Sequence, residues 1–353
     1  MPSLLSRWLD RWARRRGEAA AASADTASNA ALADVARRHP GATTSGTVPR
    51  DLLRQVRLIE LRTRGLVDSI FGGEYQSVFR GQGMEFSDVR EYQPGDDVRS
   101  IDWNVTARVG EPYIKKHVEE RELTVMLLVD LSGSEQYGTR ERFKAERAAE
   151  IAAVLALSAV RNNDRVGLLI FTDRIEHVVA PRKGRRHVLR LIRDVLAFRP
   201  SGRGTDLSGA LDYTARLLQH RSVIFLLSDF ALLAPPDEGP ESASFARWEK
   251  TLRLVSRRHD VVAVRVYDAS EQGLSGLGVV RLRDPETGEF VAIDTDRADL
   301  RSSYEQFLAQ EQAAMRRLFR RLGVDEIEIR TDGSFVSPLL SFFRRRERGR
   351  RRA

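Results

Sequence analysis

Two apolar rhythms alternate along residues 124–329. Residues 124–129, 166–171, 222–227 and 261–266 are short, nearly continuous apolar runs, the pattern of strands buried on both faces. Stretches with helical spacing separate them: 142–161, with Phe143, Ala148, Ile151, Val154, Leu155 and Ser158 along it, then 187–197, 207–219 and 245–258. This alternation predicts an α/β fold with a mostly parallel, doubly wound sheet. Residues 278–283 and 290–294, split by Asp284-Pro285-Glu286-Thr287-Gly288, predict an edge hairpin. A helix over 302–322 and a strand over 326–329 close the domain.

The pattern differs upstream. Leu52, Val56, Ile59, Leu61 and Val67 predict a helix from Pro49 to about residue 70. Over 71–122, Gly72-Gly73, Gly81, Gly83, Pro94-Gly95 and Gly110 punctuate short runs at 76–79 and 113–118, which predicts a small hairpin-like β section. Residues 17–49, rich in Ala, Ser, Thr and Gly, read as a linker. Residues 3–16 place Leu4, Leu5, Trp8, Leu9 and Trp12 at helical spacing among arginines. Two readings of that segment stand: an amphipathic helix on a membrane or in a partner's groove, and a helix folded back on its own domain. The expected divisions are therefore 1–49, 50–121, an α/β domain over 122–335, and a basic tail over 336–353.

Composition changes this picture in two places. The chain has 353 residues, 42% of them apolar, and no cysteine, which excludes disulfides, thiol nucleophiles and thiolate zinc sites. The net charge of +8 sits at the ends: residues 344–353 hold seven arginines and Glu347 (+6), and residues 1–16 hold five arginines and Asp10 (+4), so the body carries −2. A nucleic-acid footprint would cluster on a folded face, so nucleic acid is not the expected partner. No run approaches the ~18 apolar residues of a membrane helix, and the first residues lack the apolar core of a signal peptide. The expected location is the cytoplasm, with membrane contact through the basic termini as an alternative.

Chemistry gathers at the ends of the apolar runs. Asp130 follows the first run and Asp229 the third, and in an open parallel sheet ligands bind beyond the carboxyl ends of the strands. The turn Gly202-Arg203-Gly204-Thr205 precedes the helix at 207. Two carboxylates and the hydroxyls of Ser132, Ser134 and Thr205 can thus converge. An all-oxygen set favours Mg²⁺ or Mn²⁺ over Zn²⁺. Each piece alone has a plainer reading, with Asp130, Ser132 or Thr205 as a helix cap and Asp229 as a strand-end residue; their conjunction favours the metal.

The loop Asp130-Leu131-Ser132-Gly133-Ser134, with Thr205 and Asp229, resembles the metal-ion-dependent adhesion site of the von Willebrand factor A superfamily over about residues 122–270. The resemblance implies a Mg²⁺ above the sheet, whose coordination is completed by an acidic residue of a client protein. A second resemblance runs from about Leu52 to Arg346. Residues 79–86 and 89–103, with Tyr92, Gly95, Asp96, Asp97, Arg99, Asp102 and Trp103, are similar to the hallmark of the domain of unknown function 58 family, and Asp284-Pro285-Glu286-Thr287-Gly288 and Thr331-Asp332 resemble its later part. It implies a bacterial or archaeal adaptor or co-chaperone for a MoxR-type AAA+ ATPase in protein complex assembly or maturation. Read physically, Asp96, Asp97 and Asp102 lie near Arg90, Arg99 and Arg108 in sequence. That favours an ion-paired plate docking the β section on the α/β domain over a second acid/base or metal centre.

Two rivals complete the expectation. A Mg-dependent hydrolase would use the open metal positions, but no phosphate-binding Gly-x-x-x-x-Gly-Lys-Ser/Thr stretch exists. An aspartate-nucleophile enzyme would want a second Asp where Ser132 stands. His39, His117, His177, His187, His220 and His259 lie outside the metal loops. The expected protein is therefore not an enzyme. The other rival, a peripheral membrane scaffold using Trp8, Trp12 and the terminal arginines, is compatible with an adaptor.

Overall fold

The computed structural model describes residues 50–67, 89–93, 96, 98, 101, 103–115, 122–133, 144–202, 204–230, 243–273, 276–283 and 290–352. In chain order these form α1 (Arg50–Leu66), β1 (Val89–Glu91), α2 (Trp103–Val109), β2 (Tyr113–Lys115), β3 (Thr124–Asp130), α3 (Lys144–Arg161), β4 (Arg165–Phe171), β5 (Ile175–Arg182), α4 (Arg185–Ala197), α5 (Leu207–Leu217), β6 (Val223–Ser228), α6 (Ala243–Arg258) and β7 (Asp260–Tyr267). A 3₁₀ turn at Ala269–Gln272 follows, then β8 (Val279–Arg283), β9 (Phe290–Asp294), α7 (Ala298–Leu322), β10 (Asp325–Arg330) and α8 (Val336–Arg352).

The expected α/β class is the one observed. The main sheet runs β10-β7-β6-β3-β4-β5, parallel throughout except for β5, which is antiparallel to β4. The chain starts at the centre with β3, works outward through β4 to β5, then returns to the other side of β3 for β6, β7 and β10. That reversal is the doubly wound order, and its switch point lies between β3 and β6.

Period-2 alternation sorts the core into two layers. From β3, Val125, Leu127 and Val129 face a cluster with residues of α1, α3, α4 and α8; Met126 and Leu128 face one with residues of α5, α6 and α7. All five are essentially inaccessible to water, and each such side chain contributes about 1.5–3 kcal/mol through burial. At Gly167 in β4, an added Cβ would lie 2.6 Å from Met126 Sδ and 2.9 Å from Pro181 Cγ, so only glycine lets the edge strand lie this close.

Several elements differ from expectation. The expected helix at 50–70 is α1, and Val56, Ile59 and Val67 belong to the same core as α3 and α4. Arg161 extends this contact by donating to Val67 O at 3.1 Å. The edge strand β5 was not foreseen, since Ile175–Arg182 has no clean alternation and carries Pro181, a residue tolerated at sheet edges. The basic tail expected at 336–353 is corrected: residues 336–352 form α8, with Leu339, Phe342 and Phe343 buried. Arg346 pairs with Asp260 and Asp325, each with an N–O contact at 2.6 Å. Arginine density masked an amphipathic stripe. The hairpin at 278–294 appears as β8–β9, and β1–β2 pair antiparallel, with Val89 opposite Lys115. The amphipathic segment at 3–16, the linker at 17–49, the run at 76–79 and the turn at 284–288 lie outside the described residues. Among the described residues, no helix is long and apolar enough to cross a membrane.

Candidate metal site

Asp130 is the last residue of the central strand. Leu131 N–H still donates to Phe171 O at 3.0 Å, so the loop leaves the sheet only after the carboxylate is placed. Asp130 Oδ1 accepts from the Ser132 backbone N–H at 2.9 Å, and Oδ2 accepts from the Ser228 hydroxyl at 2.7 Å. Asp130, Ser132 and Ser228 are all buried.

Ser228, which ends β6, also accepts from Phe230 N–H at 3.1 Å. Phe230 adopts φ 54°, a left-handed turn that an L-residue holds only when its surroundings fix it. Its ring is anchored against Trp248 and Phe319. Asp229 is thus set between two fastened residues at the switch point. Burial pushes the Asp130 carboxyl up to about 7, and the negative charge of Asp229 pushes in the same direction against the bonds from Ser132 and Ser228. The two predicted carboxylates therefore share one electrostatic neighbourhood.

Thr205 arrives from the other side. Asp206 N–H donates to Thr172 O at 2.8 Å, tying the loop to the end of β4. The Asp206 side chain caps α5 by accepting from Gly209 N–H at 2.9 Å, so the cap is Asp206 and not Thr205, which is buried. The loop is held by Glu176 of β5. Its carboxylate accepts from Gly202 N–H at 2.7 Å, Ser201 N–H at 3.0 Å and the hydroxyls of Ser201 and Thr172. Burial raises the Glu176 carboxyl, but these donors outweigh it and leave it below the usual range. A Cβ on Gly202 would overlap Thr172 Oγ1 and an Asp173 carboxylate oxygen.

Three contributors escaped the sequence reading: Ser228, Lys144 and Glu271. Lys144, the first residue of α3, is fully buried, with its ammonium 3.0 Å from Asp229 Oδ2 and 2.6 Å from Glu271 Oε1. Burial raises the Glu271 carboxyl, Lys144 opposes this and Asp229 adds to it. A buried lysine is uncommon, yet nothing in the sequence separates it from a solvated one.

The donor set suits a hard divalent cation. Asp130, Ser132, Thr205 and Asp229 supply only oxygen ligands. The Asp130 carboxyl is raised first by burial and then by the negative charge of Asp229, and a cation would relieve the second of these. Among the described residues no group of three or more His, Cys, Asp or Glu forms a metal cluster, and the candidate set contains only two such residues. Ser134 lies outside the described residues.

Of the hallmark, Asp96 closes a local turn by accepting from Gln93 N–H at 2.9 Å, Tyr92 N–H donates to Pro112 O at 2.8 Å, and Trp103 on α2 is exposed. Gly95, Asp97, Arg99 and Asp102 lie outside the described residues, and with them half of the charged residues of the expected ion-paired plate.

Residues 88–314 match the family described as "Protein of unknown function DUF58". Uncharacterized proteins of Mycobacterium bovis and Mycobacterium tuberculosis are each 31% identical over 315 residues, covering 88% of this chain and 95% of theirs. Among solved structures, a conserved hypothetical protein BatB from Bacteroides thetaiotaomicron is similar at 14% identity and TM-score 0.39, over 64% of this chain and 99% of that one. A von Willebrand factor type A protein from Catenulispora acidiphila is similar at 16% identity and TM-score 0.30, over 54% of this chain and 44% of that one.

Proposed function

The chain belongs to the DUF58 family, and from that premise we propose that it is a metal-dependent protein-binding adaptor, without catalytic activity of its own, that works with a MoxR-type AAA+ ATPase in protein complex assembly or maturation. The observation that carries this reading is the placement of Asp130 and Asp229 at the ends of the adjacent strands β3 and β6, where the Ser228 hydroxyl donates to Asp130. Asp130, Ser132, Ser134, Thr205 and Asp229 would hold Mg²⁺ or Mn²⁺, which supplies a Lewis-acidic position open to a carboxylate from a client protein. The chain's own residues orient that position. Ser228 and the Ser132 amide fix Asp130, and Glu176 fixes the loop that carries Thr205. Binding by these means needs no bond to break. The protein acts in the cytoplasm.

The test is capture of a purified MoxR-type AAA+ ATPase by the full-length protein, with and without chelator, and by Asp130→Ala. Capture should be lost in both treatments. Capture indifferent to both would overturn the reading.

A further inference from the structure

The strand ends form a polar rim, and α3 supplies its cations. Glu271 Oε2 accepts from Asp268 N–H at 3.1 Å, and Asp268 Oδ2 accepts from the Thr331 hydroxyl at 2.7 Å. Arg147, one helical turn beyond Lys144, donates to Thr331 O at 2.5 and 3.2 Å and pairs with Glu150 at 2.8 Å. The ends of β6, β7 and β10 are thereby joined through Asp229, Glu271, Asp268 and Thr331 to the first turns of α3. Lys144 is the link nearest the candidate metal site.

Its placement is costly, because a buried ammonium loses its hydration. Two carboxylates in direct contact offset that cost. One of them, Asp229, is also a candidate ligand for a divalent cation. Ammonium and metal ion therefore seek the same carboxylate and repel each other at short range.

We propose that Lys144 is a resident counter-ion that competes with the divalent cation for Asp229, and that Glu271 retains the ammonium when the metal enters. The inference rests on the metal reading above and adds a control to it. Metal affinity is set by the chain's own cation, and occupancy is transmitted along the rim to α3 and the 3₁₀ turn.

Calorimetric titration with MgCl₂ alone tests this on the full chain, comparing wild type with Lys144→Met, Glu271→Gln and the double variant. Lys144→Met should tighten Mg²⁺ binding by about tenfold or more. Glu271→Gln, which removes the carboxylate that holds the ammonium away from Asp229, should weaken it several-fold. The double variant buries one charge fewer than Lys144→Met and, compared with Glu271→Gln, carries the same test should the single variant fail to fold. Wild type that binds Mg²⁺ while Lys144 replacement leaves affinity equal or lower would overturn the competition and leave the metal reading intact. Absence of binding in every protein would overturn both.

Discussion

Asp130 and Ser228, 98 residues apart, are joined by a 2.7 Å hydrogen bond across the gap where the sheet reverses its winding. Because the same hydroxyl accepts from Phe230 N–H, one serine fixes the carboxylate of one strand and the exit of the next.

Replacing Ser228 with Ala should therefore act on both sides of the switch point. Loss of a buried hydroxyl that serves two partners should cost about 1–2 kcal/mol in urea unfolding with chelator present. Mg²⁺ affinity measured by calorimetry should fall as well. Unchanged stability would mean that Ser228 does not position Asp130.

Gly202→Ala targets the third loop. The new methyl would overlap Thr172 and Asp173 and displace the amide held by Glu176. We expect about 1–3 kcal/mol of destabilisation and weaker Mg²⁺ binding, since Thr205 follows three residues later. A variant with wild-type affinity would remove Thr205 from the ligand set.

His259 provides a pH test remote from the site. Both ring nitrogens are buried without a partner among the described residues, and burial, reinforced by Arg258 and Arg221, lowers its pKa from 6.5 to about 4. Below pH 6.5 the unfolded chain takes up a proton that the folded chain refuses until about pH 4. Its contribution is therefore fully present above 6.5 and is lost as pH falls through that window. Relative to His259→Leu, the wild type should lose on the order of 2 kcal/mol between pH 7.5 and pH 4.5 in urea unfolding. A pH-independent difference would contradict this.

Arg346→Ala should break a largely buried bridge to Asp260 and Asp325. Leaving Asp260 buried without that guanidinium should cost about 3 kcal/mol, read as a lower melting temperature. A dispensable basic tail would show no change.

What the sequence disclosed followed strand burial. β3, β6 and β7 are covered on both faces and read as apolar runs, so Asp130 and Asp229 could be placed at strand ends before any coordinates. β5 was hidden because an edge strand need not alternate cleanly and Pro181 argues against one. α8 was hidden because arginines outnumber Leu339, Phe342 and Phe343. Lys144 and Glu271 were illegible for another reason: their meeting depends on the third dimension, and a lysine beside a loop looks solvated until the rim closes over it.

The central strand has one more consequence. Val125–Val129 are paired to β4 on one side and to β6 on the other, so their amides should trade hydrogen for deuterium only when the whole domain opens. The loops at the rim lack that double bracing. In a deuterium-uptake experiment β3 is an internal clock. Slowing confined to the rim would report ligand capture alone, and slowing that reaches β3 would report that capture stabilises the entire domain.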